Sequence, residues 1–118
     1  MTIKRMSAQK LCEYFVKECF TRRYKSKLKD IQTAKSNSMT VSYSYGYVDL
    51  LSFDTPICRY YKGKFYVDMF KYSVRTSQHQ CYLLRELYKN DTINSGRIVY
   101  VYKGNNGICK YFIEKIFK

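Results

Sequence analysis

The sequence predicts an α+β fold: a long N-terminal helix, an antiparallel meander of three to five strands, a short second helix and a C-terminal β-hairpin. Three observations carry that prediction. Apolar residues recur at spacings of three to five through the first third of the chain, the signature of one helical stripe. Strict alternation of apolar and polar residues begins at Met39 and is punctuated by turn residues, as in consecutive strands. A second helical pattern then opens at Ser77 and gives way to β-branched residues and a Gly-bounded turn. At 118 residues and 46% hydrophobic content, the chain is expected to fold as a single domain, residues 1–118.

Ser7 can cap the first helix, whose stripe is Leu11, Phe15, Cys19, Tyr24, Leu28 and Ile31. The pattern extends to about Lys35, with a break allowed near Thr21 or Ser26. Met39, Val41, Tyr43 and Tyr45 then alternate with Thr40, Ser42 and Ser44, giving a strand with one wetter face. Gly46 interrupts it, and residues 47–53 continue as a second strand. Asp54-Thr55-Pro56 reads as a turn, because proline has no N–H and restricts its predecessor. Residues 57–61 and 64–68 read as strands joined at Lys62-Gly63, with a further extended piece over 70–74. Ser77-x-x-Gln80 has capping-box form, and Cys81, Leu84, Leu87 and Tyr88 make an apolar face. Residues 97–103 and 108–114 close the chain as a hairpin through Gly104-Asn105-Asn106-Gly107. The first of these strands is apolar on both faces and therefore expected to be central.

The net charge is +13, and it is unevenly spread. Residues 1–35 hold ten Lys or Arg against three acids, and residues 57–118 hold twelve against four. The segment between them has two acids and no Lys or Arg. Such an excess favours contact with phosphates or acidic surfaces. The start of the chain, MTIKRMSAQK, has charge but no apolar stretch, and no run approaches the length of a membrane span. The expected compartment is a cytoplasm, with Cys12, Cys19, Cys58, Cys81 and Cys109 reduced and mostly buried.

Catalytic constellations are hard to assemble from these residues. One imidazole, His79, is too few for a two-histidine nuclease. The acids are dispersed, with Asp49, Asp54 and Asp68 the only loose group, and two-metal chemistry needs them clustered. No Cys-x-x-Cys occurs, and His79-x-Cys81 on a helix would point two ways, so a zinc site is not expected. A pairing of His79 with Cys12, Cys19, Cys58 or Cys109 as base and nucleophile has no support in the pattern. His79 is read as a neutral hydrogen-bonding residue at a helix start. No catalytic residue, cofactor or metal is expected.

Binding features remain. Arg22, Arg23, Lys25, Lys27 and Lys29 sit close together, and on a helix Arg22, Lys25 and Lys29 make one ridge suited to a phosphate backbone. The competing reading is a solvated helix face. Arg59-Tyr60-Tyr61-Lys62-Gly63-Lys64-Phe65-Tyr66 combines cations with rings that could stack unpaired bases. Tyr60, Tyr66, Tyr72 and Tyr100 could equally be core, and about half of them are expected there. Lys71, Arg75 and Arg85 flank the second helix and could extend the same surface.

Residues 50–88 carry a recognisable pattern: Thr55-Pro56-Ile57, Gly63, then Lys71-Tyr72-Ser73-Val74-Arg75-Thr76-Ser77-Gln78-His79-Gln80, followed by Leu83 and Arg85-Glu86. This stretch resembles a family of small phage-encoded domains of unknown function. Arg75 stands where that family usually has Thr or another small residue. The resemblance implies a non-enzymatic accessory protein in a bacterial host cytoplasm, binding a host protein or nucleoprotein complex that handles nucleic acid. Inhibition in the manner of an anti-CRISPR protein is one such role. A basic inhibitor cannot imitate DNA in a cationic groove, because like charges there cost several kcal/mol. It would grip an acidic surface or the complex's own nucleic acid. A stand-alone DNA- or RNA-binding accessory protein is the alternative, and the long amphipathic helix leaves a homodimer open. No membrane partner is expected.

Overall fold

The computed structural model describes residues 4–22, 25–44, 46–68, 70, 72–91, 98–101, 103–104 and 107–108. A short strand, β1 (Lys4–Arg5), precedes helix α1 (Ala8–Thr21). As expected, Ser7 caps that helix, its hydroxyl accepting from the Lys10 amide at 3.3 Å. Leu11, Cys12, Phe15, Val16, Cys19 and Phe20 form the buried stripe. The helix stops at Thr21 and does not run to Lys35. Fourteen residues make about 21 Å of helix, and a six-residue strand spans about 20 Å. A helix continuing to Lys35 would overhang the sheet and carry Leu28 and Ile31 away from it. The chain instead turns through α2 (Lys25–Leu28) and a 3₁₀ turn (Lys29–Thr33), which bury Leu28 and Ile31 in the same core.

Strands β2 (Ala34–Lys35), β3 (Met39–Ser44), β4 (Tyr47–Ser52), β5 (Thr55–Tyr61) and β6 (Lys64–Asp68) follow. From β2 to β6 each pairs antiparallel with the next, so the predicted meander is present. Gly46 turns the chain at a φ of 90°, where a side chain would be strained. The next reversal is Phe53-Asp54, one step earlier than the predicted turn, and Pro56 lies inside β5. Proline lacks a ladder donor, and the register shift between Leu50 and Leu51, beside its partner Leu51, accommodates it. Lys62-Gly63 makes the predicted hairpin turn, with φ of 49° and 79°, the double positive φ of a two-residue type I′ loop.

The predicted extended piece over 70–74 is not a strand, and α3 (Val74–Asp91) begins three residues before the predicted start. Ser73 supplies the cap, its hydroxyl accepting from the Thr76 amide at 3.2 Å. Helix α3 leads to β7 (Ile98–Val101), which pairs parallel with β6. Parallel neighbours need a crossover of this kind. Among the described residues β7 is the last strand in the order β1-β2-β3-β4-β5-β6-β7, and most of the strand predicted to lie on its other side is outside them. Strands β8 (Lys103–Gly104) and β9 (Gly107–Ile108) form a separate small hairpin, and the remainder of the predicted closing strand lies outside the described residues.

Both long helices pack on one face of this mixed sheet. That face presents Met39, Val41, Val48, Leu50, Cys58, Tyr60, Phe65 and Val67, which join the α1 stripe and Leu83 and Leu87 of α3 in one core. Phe65 is its aromatic centre, with ring centroids 5.1 Å from Phe20, 6.1 Å from Phe15 and 4.8 Å from Tyr60. Alternation sends Ser42, Tyr47, Asp49, Arg59, Tyr61, Lys64 and Tyr66 to the opposite face.

Candidate nucleic-acid interface

Two polar groupings emerge from this fold, one where α3 meets the Ser52 end of the strands and one on the outer face of the sheet. The first surrounds His79, which is only 5% exposed. Its Nδ1 meets the Ser52 hydroxyl at 2.6 Å, and its Nε2 meets the Ser38 hydroxyl at 3.1 Å. Ser52 also meets the Thr76 hydroxyl at 3.0 Å. Burial, and then the nearby Arg75, pushes the imidazole pKa below its ordinary value, so the ring is neutral. A hydroxyl beside an imidazole resembles a nucleophile and its base. Here, however, Ser52 is fully buried and the far nitrogen faces another hydroxyl, with no carboxylate to orient it.

The neighbouring residues complete a clasp. The Asp68 carboxylate accepts from the Phe70 amide at 2.9 Å and from the Tyr72 hydroxyl. Gln80 does not reach back to Ser77; its amide donates to the Asp68 and Phe70 carbonyls at 2.7 and 3.1 Å. Tyr72, Thr76, His79 and Gln80 thus fasten the start of α3 to the sheet and to the loop before it, and Ser73 caps the helix. Their hydrogen-bonding groups are occupied by the protein itself.

The second grouping is on the outer face. Arg59 donates Nε and Nη2 to the two oxygens of Asp49 at 2.8 and 3.0 Å, a bidentate fork that raises the guanidinium pKa further. The same guanidinium lies 3.9 Å from the Tyr47 ring centroid, stacked across the strands. The ladder row is Ser42, Asp49, Arg59 and Tyr66, one residue from each of four neighbouring strands. At the hairpin tip the Lys62 ammonium sits 5.2 Å from the Tyr61 ring.

Of the predicted contact residues, Arg59, Lys62 and Lys64 are together on this hairpin. Arg22 closes α1 and is held by Glu18 at 2.5 Å and Asp30 at 3.4 Å, so it is less available than expected. Lys27 and Lys29 are exposed beyond it. The predicted ridge of Arg22, Lys25 and Lys29 does not lie on one continuous helix, because α1 has already ended at Thr21 and α2 begins at Lys25. Arg23, Lys71 and the Lys25 side chain lie outside the described residues. Arg75 is exposed beside the His79 clasp, at the far end of the strands from Lys62. Arg85 lines a polar cleft of about 260 Å³ between α1 and α3 with Lys10, Glu13, Glu86 and Lys89. Arg75 and Arg85 therefore do not extend the hairpin surface. Tyr60 is core, Tyr66 and Tyr72 are half-buried, and the Tyr100 side chain lies outside the described residues.

Sequence reasoning missed Tyr47 and Asp49 as partners of Arg59. Their alternate spacing on one strand was visible; the register that sets them opposite Arg59 was not. Asp49, Asp54 and Asp68 are separated, and among the described residues no group of three or more His, Cys, Asp or Glu could hold a metal ion. Burial raises the thiol pKa of Cys12 to about 12 and pushes those of Cys19 and Cys58 well above the ordinary thiol value, so these buried thiols stay protonated and unreactive. No described helix is long and apolar enough to cross a membrane. Comparison with family models, with curated proteins and with solved structures gave no match, so function has to be argued from the chain's own chemistry.

Proposed function

We propose that this chain is a non-enzymatic accessory protein of phage type that binds a host nucleic-acid-handling complex through its basic, Tyr-rich hairpin end. One observation carries the reading. Phe20, two residues before Arg22, packs 5.1 Å from Phe65, the residue after Lys64. Arg22 and Lys64, some forty residues apart in the sequence, therefore lie toward the same end of the molecule. The phage-type resemblance adds the setting, and the net charge of +13 adds the sign of the partner.

The test uses Lys27→Glu, Lys29→Glu and Lys62→Glu together, all three being exposed positions. The triple variant is expected to fold normally by circular dichroism and to lose the complex that the wild-type protein captures from bacterial lysate. Nuclease treatment of the lysate separates protein-held from nucleic-acid-held capture. Undiminished capture by the folded variant would sink the proposal. Stand-alone binding to duplex DNA through about five phosphates would instead give a log–log salt slope of about −4.5 with purified components.

A further inference from the structure

We infer that the outer face of the sheet, around Arg59, is a stacking platform for single-stranded nucleic acid. This deepens the proposed function, and rests on it, by naming the part of the complex that the hairpin end grips. Tyr47, Arg59, Tyr61 and Tyr66 all project from the face opposite the one on which α1 and α3 pack. Flat groups on a pleated surface are what unpaired bases stack on, and a guanidinium plane serves as well as a ring.

Arg59 is the centre of the platform. Asp49 fixes its plane by two hydrogen bonds and Tyr47 supports one side of it, while 39% of the side chain remains exposed. A guanidinium held this way has already lost its rotamer freedom, so a base stacking on it meets a preorganised surface. Asp49 also cancels its charge, which suits Arg59 to stacking more than to holding a phosphate. The phosphate-holding role falls to the exposed Lys62 beside the Tyr61 ring. Tyr66 stands opposite Arg59 in the register, within reach of the same or the next base.

Two alternatives fit less well. A duplex presents its bases only through grooves that admit a helix or a two-stranded ribbon, not a four-strand face. A protein interface built on Tyr and Arg is depleted in Lys at its centre, whereas here lysines adjoin the rings. The size of the face accords with about two or three bases, as on other sheet-based single-strand binders.

The experiment is fluorescence anisotropy with a labelled 12-nucleotide oligo(dT), its oligo(U) counterpart and the dT·dA duplex, at low salt. Both single strands are expected to bind at least about tenfold tighter than the duplex, since stacking on each ring adds roughly that factor or more. Tyr61→Ala and Tyr66→Ala should each weaken single-strand binding by about tenfold, while Tyr66→Phe, which keeps the ring, should restore it. Lys62→Ala should flatten the single-strand salt slope by about 0.7. The chain has no Trp, so its emission is tyrosine alone, and stacked bases should quench it in the unaltered protein. Equal affinity for duplex and single strand, or no quenching, overturns the platform whether or not the variants fold. If that happens while the triple Lys→Glu variant still loses its complex, the proposed function stands and this inference alone fails.

Discussion

The His79 clasp and the Arg59 face are built from similar materials and end in opposite states. Each joins several strands or a helix through hydroxyls, rings and one carboxylate. In the clasp, His79 has both ring nitrogens occupied by serines and is 5% exposed. On the outer face, Arg59 spends two of its donors on Asp49, yet 39% of its side chain meets solvent. Polar groups that the protein satisfies for itself hold the fold together; polar and aromatic groups fixed in place but left open are available to a partner. By that criterion Tyr72, Ser73, Thr76, His79 and Gln80 serve the fold, and the Arg59 face is the one left open to a partner.

The largest expected effect comes from breaking the clasp. His79→Ala leaves the buried Ser52 hydroxyl and the half-buried Ser38 hydroxyl without their shared partner and opens a void. A loss of about 3 kcal/mol is expected, from one unsatisfied buried group plus a cavity. Chemical denaturation measures it directly. The remaining folded fraction should bind its partner as the wild-type protein does. A stable His79→Ala protein that no longer binds would erase the distinction between the two regions.

The clasp also predicts a pH dependence. The folded pKa of His79 lies below its ordinary 6.5, through burial and then Arg75. On acidification the unfolded chain takes up this proton first, so the contribution is complete above about pH 6.5 and declines as pH falls toward the folded pKa. His79→Gln removes that slope. Denaturation midpoints of both proteins between pH 7.5 and pH 5 test it, and parallel curves would show that the imidazole is not held neutral.

On the open face a smaller effect is expected from Arg59→Lys. Lysine keeps the charge but cannot make the fork to Asp49 or lie flat on Tyr47. Stability should fall by only about 1 kcal/mol, since the pair is partly solvated. Single-strand affinity should fall more than that figure suggests, because the stacking plane is gone. An affinity unchanged within twofold would mean that Arg59 serves Asp49 alone.

Different parts of this picture were legible for different reasons. The Ser7 cap, the Met39–Ser44 alternation and the Lys62-Gly63 turn depend on a few adjacent residues, and the structure has each as the sequence predicts. The end of α1 depends on the width of the sheet it must cover, a quantity no local window contains. The start of α3 was placed at Ser77 because Ser77-x-x-Gln80 satisfies a capping pattern, while Ser73 does the capping and Gln80 serves two carbonyls of the preceding loop. The Tyr47–Arg59–Asp49 group was hidden most completely. Arg59 is ten or more residues from both Tyr47 and Asp49 and meets them only through the β4–β5 register.

The smallest effects separate the two regions most sharply. Lys27 and Lys29 are exposed, and among the described contacts neither forms an ion pair. Replacing either with Ala should change stability by no more than about 0.5 kcal/mol. If each lies along the nucleic-acid path beside the hairpin, each should lower the single-strand salt slope by about 0.7 without altering the preference for single strands, because a point charge reads phosphate and not base. Tyr61→Ala should do the reverse, reducing that preference while leaving the slope in place. The sorting of cations into slope and rings into preference is what a platform with a basic rim predicts. A uniformly attractive basic surface would instead show every substitution acting on the slope alone.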